Sequence, residues 1–69
     1  MERVPVISEN LSEVGWENGV LEIQFHEFSV YQYFDVPSEV FKGLVEAASA
    51  GTYFDLYIRN GGYRYEKIL

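Results

Sequence analysis

The clearest pattern along the chain is an alternation of apolar and polar residues on either side of Asn18-Gly19. This dipeptide favours a two-residue type I′ turn, and such a turn brings Trp16 opposite Leu21 in an antiparallel hairpin. The same register collects apolar side chains on one face of the hairpin: Val14, Trp16, Leu21, Ile23 and Phe25. The pattern therefore predicts a β-hairpin that gives one face to the core.

A further strand is predicted over residues 30–36, which are rich in β-branched and aromatic side chains. We expect it to pair antiparallel with residues 20–26 through a turn near Glu27–Ser29. Large side chains occupy both of its alternating faces. Periodicity therefore does not decide whether Tyr31 and Tyr33 face the core or the solvent.

The two ends of the chain carry weaker strand patterns. Arg3–Ile7 is β-branched but contains Pro5, so we expect at most an edge strand or an extended arm. Tyr63–Ile68 has an extended pattern, and its return to the sheet is left open by the sequence.

Two helices are predicted after the strands. Pro37 is typical of a helix start, and Gly51 of a helix end. Thr52 is predicted to cap a second, shorter helix that has Asp55 in a capping-box position and ends at Asn60-Gly61-Gly62. The apolar stripe of the first helix comprises Val40, Phe41, Leu44, Val45 and Ala48. The second helix is predicted to turn Phe54, Tyr57 and Ile58 inward.

These elements predict an α+β fold: an antiparallel β-meander of about three strands, followed by two helices packed on one sheet face. The chain has 69 residues, so we expect a single domain over residues 1–69. It has no cysteine, which excludes disulfides and zinc-finger ligand sets. There is no apolar run of membrane-spanning length, and the first residues show no basic region followed by an apolar stretch. We therefore expect a cytoplasmic protein that does not associate with membranes. We also expect a monomer.

The residues do not assemble a catalytic or metal-binding pattern. His26 is the only histidine, and we interpret it as an ordinary surface residue. There is no phosphate-binding glycine loop, no calcium loop and no nucleophile paired with a base. We therefore expect a protein that is not an enzyme and that holds no cofactor and no metal.

Charge is distributed unevenly along the chain, which has a net charge of −6. Residues 1–58 hold ten acids and two bases, whereas residues 59–69 hold three bases, Arg59, Arg64 and Lys67, and one acid. An acidic protein repels phosphate backbones, which argues against non-specific nucleic-acid binding and favours a basic protein partner.

Tyrosine is the residue type that points to binding. Tyr31 and Tyr33 lie two positions apart on a strand, so their rings point the same way about 7 Å apart. Exposed rings at this spacing can stack unpaired RNA bases, and Arg59 and Arg64 can contact phosphates. These four residues form the candidate binding site. Alternatively, the tyrosines complete the core and the molecule is a protein-interaction module with an acidic, aromatic surface.

The order of motifs resembles the KTSC domain family. The resemblance rests on Val6-x-Ser8-x-Asn10, the hairpin, Tyr31-Gln32-Tyr33, Val36-Pro37 before a helix, Ser49–Phe54 and Ile58-Arg59. It covers nearly the whole chain. This domain occurs alone in bacteria and archaea and at the C-terminus of some lysyl-tRNA synthetases. The resemblance therefore implies an RNA-related role without an established biochemical function, and a central motif at Tyr31 and Tyr33.

One segment departs from the family pattern. The turn before the Tyr-x-Tyr motif usually carries a glycine, whereas this chain has Glu27-Phe28-Ser29. The departure predicts an altered turn that exposes Phe28.

Overall fold

The computed structural model describes residues 1–69 and contains one five-stranded antiparallel sheet in the order β1-β2-β3-β4-β5. The strands are β1 (Arg3–Pro5), β2 (Leu11–Glu17), β3 (Val20–Phe25), β4 (Val30–Tyr33) and β5 (Tyr65–Lys67). The helices are α1 (Ser38–Glu46), α2 (Ala50–Phe54) and a π-helix (Asp55–Arg59) that continues α2. The α+β class is confirmed, with five strands instead of about three because both chain ends join the sheet.

The central hairpin has the predicted register. Trp16 lies opposite Leu21 across the Asn18-Gly19 turn, in which Asn18 and Gly19 both have positive φ. The Trp16 indole N–H donates to the Val36 carbonyl oxygen at 2.8 Å, which ties the chain after β4 to this hairpin. The apolar face of the hairpin therefore forms the sheet side of the core.

The position of β4 settles which way the central tyrosines point. Tyr31 lies opposite Ile23, and Tyr33 lies opposite Leu21, which is fully buried. Directly opposite residues share a face of an antiparallel sheet, so both tyrosines point toward the helices. The strand is shorter than predicted, because the chain leaves the sheet near Asp35, whose φ is +59°.

The N-terminal segment forms the edge strand β1, in which Arg3 lies opposite Gly15. A Cβ on Gly15 would lie 2.6 Å from the Glu2 carbonyl oxygen, so β1 can approach β2 this closely only over a glycine. The Arg3 side chain lies 3.4 Å from the Glu22 carboxylate, on the sheet face away from the helices. The local pattern allowed either an edge strand or an extended arm, and close packing and an ion pair favour the edge strand.

The C-terminal segment forms β5, the other edge of the sheet, in which Tyr65 lies opposite Tyr33 and Lys67 opposite Tyr31. Beyond the strand, the Val30 N–H donates to the Leu69 carbonyl oxygen at 3.0 Å. The whole C-terminal segment is thus held along β4.

Helix α1 begins after Pro37 as predicted, but the boundary predicted at Gly51 is wrong. Helix α1 ends at Glu46, and Gly51 lies inside α2. The N-cap of α2 is Ser49 and not Thr52: the Ser49 hydroxyl accepts a hydrogen bond from the Thr52 N–H at 3.3 Å. A serine in extended conformation satisfies the first free amides of the helix, so the helix starts earlier than predicted.

The π-helix changes which residues face the core. Its wider turn is closed by the Asn60 N–H, which donates to the Asp55 carbonyl oxygen at 3.2 Å. Phe54 and Ile58 are buried as predicted, but Tyr57 is 56% exposed. The capping-box role predicted for Asp55 is also wrong, because its carboxylate lies 3.4 Å from the Arg59 guanidinium, one turn later.

The core lies between the sheet and the helices, and Phe54 lies at its centre. The Phe54 ring meets Phe25 edge-on at 5.6 Å between centroids and meets Tyr33 edge-on at 5.7 Å. The other buried side chains of this cluster are Leu11, Val14, Leu21, Ile23, Val36, Leu44, Ala50 and Ile58. None of the helices is long and apolar enough to span a bilayer.

The turn between β3 and β4 holds Phe28 in an unusual backbone conformation. The Phe25 N–H donates to the Ser29 carbonyl oxygen and the Phe28 N–H to the Phe25 carbonyl oxygen, both at 2.9 Å. Phe28 has a φ of +74° and is 75% exposed. In such three-residue loops the last position favours glycine, since a side chain there crowds its own backbone.

Phe28→Gly should therefore stabilise the protein. Removing the side chain relieves left-handed strain of about 1–2 kcal/mol, and the greater freedom of glycine in the unfolded chain offsets part of this. We expect a net gain of about 1 kcal/mol, which is a rise in Tm of about 4–8 °C in a domain of this size. Thermal unfolding followed by circular dichroism measures it.

Glu27→Gly is the matched control, because Glu27 precedes Phe28 in the same turn without a positive φ. It should lower Tm. A Phe28→Gly variant that melts at or below the temperature of the parent would contradict this account of the turn.

Candidate binding groove

A groove of about 720 Å³ lies on the helix side of the sheet, at the edge formed by β4 and β5. The π-helix and the end of α2 form its opposite wall, and the loop before β2 and the β3–β4 turn close one end. Aromatic side chains line much of it: Phe25, Tyr31, Tyr33, Phe54 and Tyr65. Its polar side chains are Glu9, Asn10, His26, Glu27, Asp55 and Arg59.

The tyrosines contribute to the groove at different depths. Tyr33 is 6% exposed and belongs to the core, Tyr31 is half-buried, and Tyr65 is 59% exposed. The Tyr65 ring lies 5.4 Å from the Tyr33 ring and 6.2 Å from the Tyr31 ring. The core interpretation thus holds for Tyr33, while Tyr31 and Tyr65 present ring surface to the groove.

Tyr65 also lines the groove but was not predicted as a site residue. The signal that could have found it is the second Tyr-x-Tyr pair, Tyr63 and Tyr65, at the end of the chain. Of that pair, Tyr65 lines the groove, because β5 pairs with β4.

Arg59 is the predicted cation that lies in the groove. The π-helix ends at this residue and directs its guanidinium carbon to 5.7 Å from the Phe54 ring centroid. Burial raises the pKa of the Tyr33 phenol, and the nearby charge of Arg59 acts in the opposite direction. Arg59 is itself exposed, so it is available to a ligand.

Arg64, the fourth predicted site residue, does not join the others. Its guanidinium carbon lies 4.4 Å from the centroid of the Phe34 ring, and it does not line the groove. The reason is strand alternation: because Tyr65 points into the groove, its neighbour Arg64 points to the opposite face of the sheet. The prediction that Arg64 lies beside Tyr31 and Tyr33 is therefore wrong.

The end of the groove formed by the loop before β2 and by the β3–β4 turn is polar, and hydrogen bonds hold both segments. The His26 N–H donates to the Asn10 carbonyl oxygen at 2.9 Å, and His26 Nε2 lies 2.8 Å from the Ser8 carbonyl oxygen. The Glu27 carboxylate accepts from the Ser29 hydroxyl at 2.9 Å. These bonds fix the two loops that close the groove.

The groove carries more negative than positive charge. Glu9, Glu27 and Asp55 supply three carboxylates, and Arg59 supplies the one guanidinium. In the molecule as a whole, no group of three or more histidine, cysteine, aspartate or glutamate side chains is placed to hold a metal ion. The groove can stack a planar group on aromatic rings and can accept hydrogen bonds from amino or guanidinium groups.

The raised pKa of Tyr33 has a consequence for stability at alkaline pH. The folded protein holds the phenol proton more tightly than the unfolded chain, whose tyrosines ionise near pH 10. The stabilisation is complete below that pH and is lost as the pH rises above it. Between pH 9 and pH 11, the free energy of unfolding should therefore fall less for Tyr33→Phe than for the parent. Urea unfolding at each pH measures it.

Tyr57→Phe, a change at an exposed tyrosine on the π-helix, is the control and should keep the alkaline loss. An equal loss of stability in the parent and in Tyr33→Phe would show that burial of this phenol does not govern the alkaline transition.

Comparisons with known proteins agree with the motifs and the fold. The KTSC domain model matches residues 7–65. An uncharacterised protein of Stutzerimonas stutzeri is 37% identical over 70 residues, covering 99% of both chains. The crystal structure of a KTSC domain protein from Yersinia pestis matches with a TM-score of 0.90 and 37% identity, over 99% of this chain and 97% of that one. The chain therefore belongs to the KTSC domain family.

Proposed function

We propose that the protein is a non-catalytic, cytoplasmic binding module and that its groove holds an unpaired base of single-stranded RNA. The observation that carries the proposal is the meeting of Tyr31, Tyr33 and Arg59 with Tyr65 in one groove. Three of the four residues singled out by the sequence contribute to it. In this proposal one monomer forms the complete site.

Stacking supplies most of the binding energy in this proposal. Tyr65 is exposed and lies against the buried Tyr33 ring, and half-buried Tyr31 lies against the Phe25 ring. Stacking of a base on an aromatic side chain is worth about 1–3 kcal/mol. A ring held by a packed core loses little freedom on binding, which favours this use of the groove.

The polar groups suit a base more than a phosphate backbone. The Glu9, Asn10 and Glu27 side chains can accept hydrogen bonds from the exocyclic amino groups of bases. Arg59, next to the aromatic rings, can contact one phosphate. With three carboxylates in the groove and a net charge of −6, we expect few phosphate contacts and modest affinity.

The second candidate is a segment of a partner protein that carries a basic side chain. The same excess of carboxylates favours it, because a guanidinium or ammonium group can lie on an aromatic ring beside a carboxylate. The two candidates share the groove but differ in the ligand.

Titration of the isotope-labelled protein tests both candidates. The probes are a twelve-nucleotide single-stranded RNA of mixed sequence and an eight-residue peptide of alternating arginine and valine. We expect RNA to shift the amide signals of Tyr31, Arg59 and Tyr65. Tyr65→Ala should weaken RNA binding by about 1–3 kcal/mol, and Arg59→Gln by about tenfold.

Arg64→Gln is the matched control, since it removes the same charge from the opposite face of the sheet and should leave RNA binding unchanged. Equal effects of Arg59→Gln and Arg64→Gln would contradict a site in the groove. Groove shifts with the peptide and none with RNA would establish the second candidate instead. If neither the RNA nor the peptide shifts any amide signal, both candidate functions are contradicted.

A further inference from the structure

Phe28 is an anomaly that the fold does not explain. Its ring is 75% exposed, so it contributes little to the core, and its φ of +74° is unfavourable for a residue with a side chain. None of the hydrogen bonds of the turn uses the Phe28 side chain, so all of them would form equally well with glycine at this position. A strained, exposed aromatic residue without an internal role points to a contact outside the molecule.

Phe28 belongs to the turn that closes one end of the groove. The two residues before Phe28, His26 and Glu27, line the groove. The Ser29 hydroxyl, just after Phe28, donates to the Glu27 carboxylate at 2.9 Å. The turn is therefore held by hydrogen bonds on both sides of Phe28, so its backbone has little freedom to lose on binding.

We infer that Phe28 stacks a second base of the RNA, next in the strand to the base held in the groove. The inference rests on the proposed function. An exposed aromatic ring in the turn at the polar end of the groove can stack one further base without adding a phosphate contact. That suits a protein whose overall charge disfavours phosphates. It also explains why this turn has a phenylalanine where glycine is the favoured residue.

Three substitutions distinguish the effect of the aromatic ring on RNA binding from the effect of the strained backbone. Phe28→Gly removes both, Phe28→Leu keeps an apolar side chain at the strained position but removes the ring, and Phe28→Trp keeps an aromatic ring. Binding is measured by fluorescence anisotropy with the twelve-nucleotide single-stranded RNA of mixed sequence.

We expect Phe28→Gly and Phe28→Leu to weaken RNA binding by at least about fivefold, the lower bound for loss of one stacked base. Phe28→Trp should bind at least as tightly as the parent. Phe28→Gly should combine weaker binding with a higher Tm, which separates loss of binding from loss of folding.

Other outcomes overturn the inference in distinguishable ways. If the parent binds RNA and Phe28→Gly and Phe28→Leu bind it equally well, Phe28 makes no contact and the proposed function stands alone. If Phe28→Leu binds as the parent does, the contact is apolar and not stacking. If the parent binds the arginine–valine peptide and not RNA, or binds neither probe, the proposed function fails together with the inference.

Discussion

The edge-on packing of Phe54 against Phe25 and Tyr33 is the contact on which the rest of the structure depends. It fastens the helices to the sheet at the edge where the groove lies. Phe54 is the last residue of α2 and directly precedes the π-helix that ends at Arg59. The same ring is thus part of the core and part of the candidate groove, so the two share one contact.

Strand register then decides which residues can reach a ligand. Tyr31 and Tyr33 face the helices because they lie opposite Ile23 and Leu21. Register across β4 and β5 adds Tyr65 to the same face, and the alternation of side chains sends Arg64 to the other. A tyrosine and an arginine that are neighbours in sequence therefore have different surroundings.

The sequence predicted those features that local chemistry controls. The Asn18-Gly19 turn and the alternation around it determine the hairpin, and Pro37 marks the start of α1, so both predictions are confirmed. The resemblance to the KTSC family is confirmed as well. Of the site, Tyr31, Tyr33 and Arg59 were predicted and line one groove.

Features that depend on distant contacts were not predicted. Strand β1 depends on close approach over Gly15, and β5 on pairing with β4, neither of which appears in a local pattern. The observed helix boundaries differ from the predicted ones because α2 is capped by Ser49 and continues as a π-helix after Phe54. Local spacing does not distinguish one capping residue or one helix type from another. As a result, Tyr57 is exposed instead of buried, and Tyr65 lines the groove.

In the proposed complex, stacking would hold RNA in a groove with three carboxylates and one guanidinium. The most direct test is the dependence of the RNA association constant on salt concentration. For single strands, log K falls with log salt by about 0.7 for each phosphate neutralised. We predict a slope between about −0.7 and −1.4, corresponding to one or two phosphate contacts. A slope steeper than about −3, or no binding at the lowest salt concentration, would contradict the account.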